Sequence, residues 1–333
     1  MDFLITGGAG FIGSTIASAA LDVGHRPIIL DSLVTGRKEF TNGRIFYQGD
    51  IADRALLNRI FDEYPDISAV IHCAALIVVP DSVALPIAYY RANVAKTLDL
   101  VETLVQRGCR RLIFSSSASI YLPGEDFSVD ESSPLAPVSP YARTKVIVEQ
   151  MLEDIAAATD LDVLSLRYFN PVGADPKMRT GLQSPAPSHA LGKLIEKHAT
   201  GGPFQLTGDD YPTRDGSGIR DYVHVWDLAQ AHVAALNHFE SALGDDPYAV
   251  INLGTGTGTT VKELVAAFEQ VTGDPVEVVV AARRPGDTAG AYTRSDKART
   301  ALGWVAARSL QQGIADSLTW FEKRSQILPD LAD

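Results

Sequence analysis

The chain has 333 residues, 46% of them apolar and 21% charged, with a formal net charge of −12 at neutral pH. That balance belongs to a folded globular protein, and the acidic excess argues against nucleic-acid or anionic-membrane partners. Two cysteines, seven histidines without an HExxH spacing, and no apolar run of eighteen residues exclude a disulfide framework, give no metal site and leave no membrane span.

Met1-Asp2-Phe3-Leu4-Ile5 carries no basic leader and runs straight into a short apolar strand, so no signal peptide is expected, and the two cysteines, Cys73 and Cys109, point to a reduced cytoplasmic setting. TGGAGFIG follows at 6–13, and then a helix with Ile12, Ile16, Ala19 and Ala20 on one face. Glycines let the main chain approach a ligand, and the following helix start offers N–H groups and partial positive charge to a pyrophosphate. A second strand, 27–30, ends at Asp31, about 20 residues past the turn, where a carboxylate can accept the ribose hydroxyls of a dinucleotide. An acid there repels a 2′-phosphate, so NAD is expected rather than NADP.

A helix is predicted at about 87–107, with Val94, Leu98, Val101 and Val105 as its apolar stripe. The strand Leu112-Ile113-Phe114 ends in Ser115-Ser116-Ser117, hydroxyls that open into the cofactor crevice of such folds. SPYARTK at 139–145 starts the next helix, with Ser139 as N-cap and Pro140 as first residue. Tyr141 and Lys145 stand at i and i+4, on one face. A nearby ammonium and a cationic nicotinamide both favour the phenolate of a phenol whose ordinary pKa is ~10. Such a pair also arises by chance as a surface tyrosine over a lysine stem; beside the glycine turn it reads as a proton-transfer residue with its helper.

Alternating strands and helices over 1–168 predict an α/β fold, a Rossmann-type doubly wound parallel sheet that binds NAD. Residues 169–333 read as a smaller C-terminal substrate-binding α/β domain, with 219–240 returning to the first. His72 and His224 read as satisfied core residues. The second glycine string, GTGTGTT at 254–260, imitates a nucleotide turn but reads as a structural cap.

On these residues the chain resembles the UDP-glucose (UDP-galactose) 4-epimerases of the extended short-chain dehydrogenase/reductase superfamily. Further stretches carry the likeness: YQGDI at 47–51, VIHCAAL at 70–76, FSSSASIY at 114–121, LRYFNPVGADP at 166–176, GDDYPTRDGSGIRDYVHVWDLA at 208–229, INLGTGTG at 251–258, RRPGD at 283–287 and LGW at 302–304. The resemblance implies NAD-dependent inversion at C4 of a UDP-hexose through a transient 4-keto sugar, with Tyr141 as base assisted by Ser117 and Lys145. It implies NAD contacts from Gly7, Gly10, Phe11, Ile12, Asp31, Ser32, Asp50, Ile51, Ala74, Ala75, Asn93, Ser115 and Phe169, besides the catalytic pair. For the UDP-sugar it implies Ser117, Asn170, Ser188, Arg220, Arg284, Asp287 and Ala291; a plain ion pair is the other reading of Arg220-Asp221, and a solvated turn that of 283–287. It also implies a homodimer through the helices at 87–107 and 140–158, and a place in galactose and wider carbohydrate metabolism.

The pattern is not matched everywhere. Leu122 stands where glycine is usual, Cys73 where an aromatic is frequent, Ile77 where many members have lysine, and Ser188-His189 where asparagine and an apolar residue are common. By the same resemblance, Ala291 falls at a position that controls room beside the second carbon of the sugar, and alanine is expected to leave that room unless Tyr292 fills it. The alternatives are therefore a 4-epimerase of a UDP-N-acetylhexosamine or UDP-uronic acid and, from another class, a non-catalytic NAD-binding sensor.

Overall fold

The computed structural model describes residues 1–283, 288–294 and 296–331. Among them, seven parallel strands form a central sheet: β1 (Asp2–Thr6), β2 (Arg26–Asp31), β3 (Ile45–Gln48), β4 (Ile67–His72), β5 (Arg111–Ser117), β6 (Asp162–Tyr168) and β7 (Tyr248–Leu253). Their spatial order is 3-2-1-4-5-6-7, so the order reverses between β1 and β4 and opens a crevice at the carboxyl ends of those strands.

The apolar runs are continuous because both faces of the sheet are covered. Successive side chains point to opposite faces. Phe3, Ile5, Ile29, Ile71, Ile113, Leu164, Ile251 and Leu253 share a core with helices α1 (Phe11–Asp22) and, from later in the chain, Val225–Asn237. Leu4, Ile28, Leu30, Val70, Leu112, Phe114 and Val163 share the opposite core with α2 (Arg54–Glu63), α3 (Lys96–Gln106) and α4 (Pro140–Ala158).

α4 begins as its sequence predicts, with Ser139 Oγ accepting the Ala142 N–H at 3.2 Å. The helix predicted at 87–107 is instead three pieces, Pro86–Tyr90, a π-type turn at Arg91–Ala95, and α3. The extra residue per turn there accompanies Asn93, whose amide bridges to a neighbouring loop. The strand predicted at 221–225 is shorter, Tyr222–His224, because His224 Nδ1 accepts the Trp226 N–H and starts the next helix.

Beyond β6 the chain crosses between two layers. Helices Ala190–Thr200, Val261–Thr272 and Leu310–Ile327 pack on a separate core with Phe204, Leu206 and Val172. The helix Val225–Asn237 returns to pack on α1, and β7 returns to pair with β6 at the edge of the central sheet. A small sheet ties the layers: Thr259–Thr260, Ile219–Arg220, Gly290–Thr293 and Ser128–Val129, in that order.

Candidate functional site

The glycine turn after β1 is shaped by contacts that no side chain would survive. Gly7 has φ +71°, and a Cβ there would stand 2.7 Å from the Ala74 nitrogen, so the loops after β1 and β4 touch backbone to backbone. A Cβ on Gly13 would lie 2.2 Å from the Gly7 carbonyl oxygen. Gly10 is the N-cap of α1; it supplies no side-chain bond, and the first turn, with Phe11 and Ile12, holds no acid. The start of α1 is thus left open to an anion.

Asp31 ends β2 and is 7% exposed. Ala9 N–H donates to Oδ2 at 3.0 Å and Leu33 N–H to Oδ1 at 2.8 Å. Burial raises its pKa above the ordinary carboxyl value, and those two donors oppose the rise. Each oxygen keeps acceptor capacity for a ribose hydroxyl. Ser32, next to it, is exposed. An uncapped helix start and a carboxylate at the next strand end fit NAD.

Ala74 and Ala75 lie on the loop that meets Gly7. Asp50 is ion-paired with Lys96 and accepts the Ala52 N–H, while the Ile51 side chain packs in the core with Leu56 and Leu57. Asn93 accepts the Leu76 N–H at 2.8 Å and donates to the Leu76 carbonyl and to Thr144, so its side chain supports the loop after β4. Ser115 Oγ faces Cys73 Sγ at 3.1 Å and His232 Nε2 at 3.3 Å. Its side chain is therefore committed to the interior, and its carbonyl is what serves the site.

That carbonyl accepts Lys145 Nζ at 2.8 Å. The ammonium also lies 4.7 Å from the Phe114 ring centroid and 6.0 Å from that of Tyr141. Burial lowers the pKa of Lys145 to about 8, opposed by Cys73 and Glu149. Burial raises the phenol of Tyr141, opposed by its hydrogen bond with Ser117. Ser117 Oγ further meets Ser119 Oγ at 2.9 Å. Ser117, Tyr141 and Lys145 therefore converge at the carboxyl end of β5, and the protein by itself keeps Tyr141 as the neutral phenol.

On the far wall, Phe169 and Ala291 pack against Ala118, Ile120, Tyr121 and Ala142. Tyr292 turns the other way: a Cβ on Gly258 would be 2.5 Å from its ring. Ala291, not Tyr292, thus lies on the Phe169 side. Asn170 follows β6, its N–H bonded to the Asp221 carbonyl at 3.0 Å. Arg220 donates to the carbonyls of Ala289 at 2.8 Å and Thr288 at 3.3 Å, and Gly290, φ +105°, makes room for its guanidinium. Arg220 and Asp221 are not the simple ion pair that was one reading. Asp221 instead accepts Thr255 N–H and Oγ1–H, Gly256 N–H and Thr293 N–H.

Arg284 and Asp287 lie outside the described residues. Their neighbour Arg283 stacks on Tyr211, 4.0 Å to the ring centroid, and bonds Asp210. Ser188 is exposed, just ahead of His189, which caps the helix Ala190–Thr200 by accepting the Gly192 N–H. His72 bridges Thr6 and Thr97, and His224 meets Asp316 at 3.0 Å; both are satisfied interior residues, as read from sequence. One residue of the region went unread: Glu149, a further turn along α4 from Lys145, buried against Ser116 and Arg167. Its i+8 spacing from Tyr141 was the available signal.

Residues 3–254 match the model of the NAD dependent epimerase/dehydratase family. The chain is 42% identical to the UDP-glucose 4-epimerase of Bacillus subtilis (strain 168), over 96% of each. A crystal structure of a UDP-glucose 4-epimerase from Stenotrophomonas maltophila, with bound NAD and formylated UDP-arabinopyranose, superposes with a TM-score of 0.92 at 38% identity, covering 98% of this chain and 99% of that one. The UDP-Glc/GlcNAc 4-epimerase of Campylobacter jejuni gives a TM-score of 0.80 at 34% identity, covering 97% and 99%.

Proposed function

The chain belongs to the NAD dependent epimerase/dehydratase family, and from that premise we propose how it works. It is an NAD-dependent isomerase of the UDP-glucose 4-epimerase type, which sets aside the non-catalytic sensor. In our reading Gly7, Gly10, Phe11 and Ile12 hold the pyrophosphate, and Asp31 and Ser32 the adenosine ribose. NAD held there would supply a two-electron acceptor and donor for sugar C4.

Tyr141 takes the proton of the 4-hydroxyl, directly or through Ser117, and gives it back once the 4-keto sugar has turned over in the pocket. Because burial favours the neutral phenol, its ionisation depends on positive charge beside it. Lys145, anchored on the Ser115 carbonyl, supplies one such charge, and each unit of pKa it removes is worth about 1.4 kcal/mol. A sugar that must turn needs its grip on the nucleotide, which is the part assigned to Asn170, Ser188, Arg220, Arg284 and Asp287. Residues 1–168, with the return through 219–253, make the cofactor part, and the rest makes the nucleotide-sugar part.

The observation that carries this reading is the convergence of Ser117, Tyr141 and Lys145 beside an uncapped α1. A second reading, turnover of a UDP-N-acetylhexosamine, is favoured by the small Ala291, which packs against the same cluster as Phe169. Self-association through the two helical segments is supported by exposed Ile87 (74%), Leu98 (48%) and Ile147 (38%). A cytoplasmic setting fits the two unpaired cysteines, Cys73 and Cys109. No helix among the described residues is long and apolar enough to cross a membrane.

The test is equilibration of UDP-galactose, UDP-N-acetylgalactosamine and UDP-galacturonic acid by the purified protein without added NAD, beside Tyr141→Phe. Conversion of UDP-galactose by the wild type and its loss in the variant is the expected result. Undiminished turnover by Tyr141→Phe would remove that residue from the mechanism, and conversion of the N-acetylated sugar at a similar rate would establish the wider pocket.

A further inference from the structure

Glu149 is 3% exposed and its carboxylate is fully engaged. Ser116 Oγ donates to Oε1 at 2.5 Å, Arg167 Nε to Oε1 at 2.9 Å, and Arg167 Nη2 to Oε2 at 2.5 Å. Arg167, itself 5% exposed, gives Nη1 to the Tyr121 hydroxyl at 2.8 Å, and that hydroxyl donates to Asn252 Oδ1 at 2.7 Å. A buried ion pair is weak evidence for stability, because desolvation offsets most of the attraction and apolar residues of similar size would serve as well. The placement of this pair points to another use.

Three elements that carry the candidate site meet at this one carboxylate. Glu149 lies one turn beyond Lys145 and two beyond Tyr141 on α4. Ser116 immediately precedes Ser117 on β5. Arg167 lies two residues before Phe169 and three before Asn170 at the end of β6. The bonds therefore set the distance between the helix that brings the phenol and the strands that bring its serine partner and the far wall. Displacements of about 1 Å in such a constellation cost roughly 100-fold in rate.

We propose that Glu149 is a positioning residue for the epimerisation, its carboxylate clamping the Tyr141–Lys145 helix to the strands that carry Ser117 and Asn170. The inference rests on the epimerase reading. The same carboxylate faces Lys145 electrostatically; Cys73 and His72, at the end of β4, are the other titratable groups that face it from outside α4. Glu149 and Cys73 favour the ammonium.

Glu149→Gln keeps the size of the side chain but sets an amide against the Arg167 fork. In the NAD-loaded protein, kcat on UDP-galactose is expected to fall at least about 10-fold with KM within about twofold and NAD content unchanged. Removing the negative charge lowers the pKa of Lys145 further, so the alkaline limb of the kcat profile moves to lower pH. Ser116→Ala, which cuts only the link to β5, is expected to lower kcat less, again with KM unchanged. A folded, NAD-loaded Glu149→Gln with wild-type kcat and pH profile overturns the proposal, as does a loss confined to KM and NAD content. If Glu149→Gln does not fold, an unchanged kcat in Ser116→Ala overturns it. Failure of the wild type itself to convert any UDP-hexose sinks the epimerase reading and this inference together, a result distinct from an active wild type beside an unimpaired variant.

Discussion

Two glycine-rich turns in this chain stand between a strand and a helix, one at 6–13 and one at 254–260, and they are finished in opposite ways. The first ends in Gly10, which contributes no cap, and leaves the start of α1 to a ligand. The second closes on the protein's own carboxylate: Asp221 takes the N–H groups of Thr255 and Gly256, and Thr260 with Glu263 forms a reciprocal capping box on the next helix. A glycine string between strand and helix is therefore not enough to mark a phosphate site. What separates the two is the start of the following helix: no side chain caps α1, although Asp31 takes the Ala9 N–H just ahead of it, whereas Thr260 and Glu263 cap the second.

The largest expected effect breaks the open turn. Gly13→Val places a side chain where a single Cβ already lies 2.2 Å from the Gly7 carbonyl, and the purified protein should contain no bound NAD by absorbance or extraction. A variant that still co-purified with stoichiometric NAD would show that this turn is not the cofactor site.

Next comes the stability that the open side gives up. Lys145 has its pKa lowered to about 8 in the folded chain against ~10.5 unfolded, so the unfolded state binds more protons between those values and stability rises with pH across that window. Below pH 8 the burial cost is present in full, roughly 3 kcal/mol. Lys145→Met should therefore raise the melting temperature of the NAD-free protein at pH 7, lose the alkaline rise and abolish turnover. A lower melting temperature would mean that the Ser115 carbonyl and neighbouring charges already compensate the burial.

The closed turn should behave in reverse. Asp221→Asn weakens several charge-assisted bonds and is expected to cost about 2 kcal/mol in urea unfolding, with NAD content unchanged. Parallel loss of NAD would place the second turn in the cofactor site and break the comparison. Smallest is Thr260→Ala, which removes a helix cap for about 1 kcal/mol and should leave both NAD content and turnover as they were.

The parts of the molecule that were legible in the sequence are those whose chemistry is local. The turn at 6–13, Asp31 at a strand end, the capped start of α4 and the i, i+4 spacing of Tyr141 and Lys145 each need only a few consecutive residues. Ser115, Ser116 and Ser117 show the limit. A strand sends neighbours to opposite faces, and three identical side chains carry no mark of which one faces the crevice. Asp221 reads with equal ease as the partner of Arg220, because the groups that donate to it lie more than thirty residues along the chain. Glu149 offers only its i+8 spacing from Tyr141, and its burial shows only through its partners Ser116 on β5 and Arg167 on β6. Tyr248–Leu253 reads plainly as a strand, but its pairing with β6 is set by a contact across some 80 residues that no local pattern encodes.

The late arrival of β7 has a consequence for how the protein is made. A ribosome that has released residues 1–168 has released six strands, with the edge of β6 still bare and the helix Val225–Asn237 that covers α1 not yet synthesised. Bare strand edges and uncovered apolar faces invite pairing with other chains. The cofactor half should therefore not be obtainable as a soluble fragment cut at 168, and stop codons before residue 253 should yield aggregate rather than a smaller NAD-binding protein.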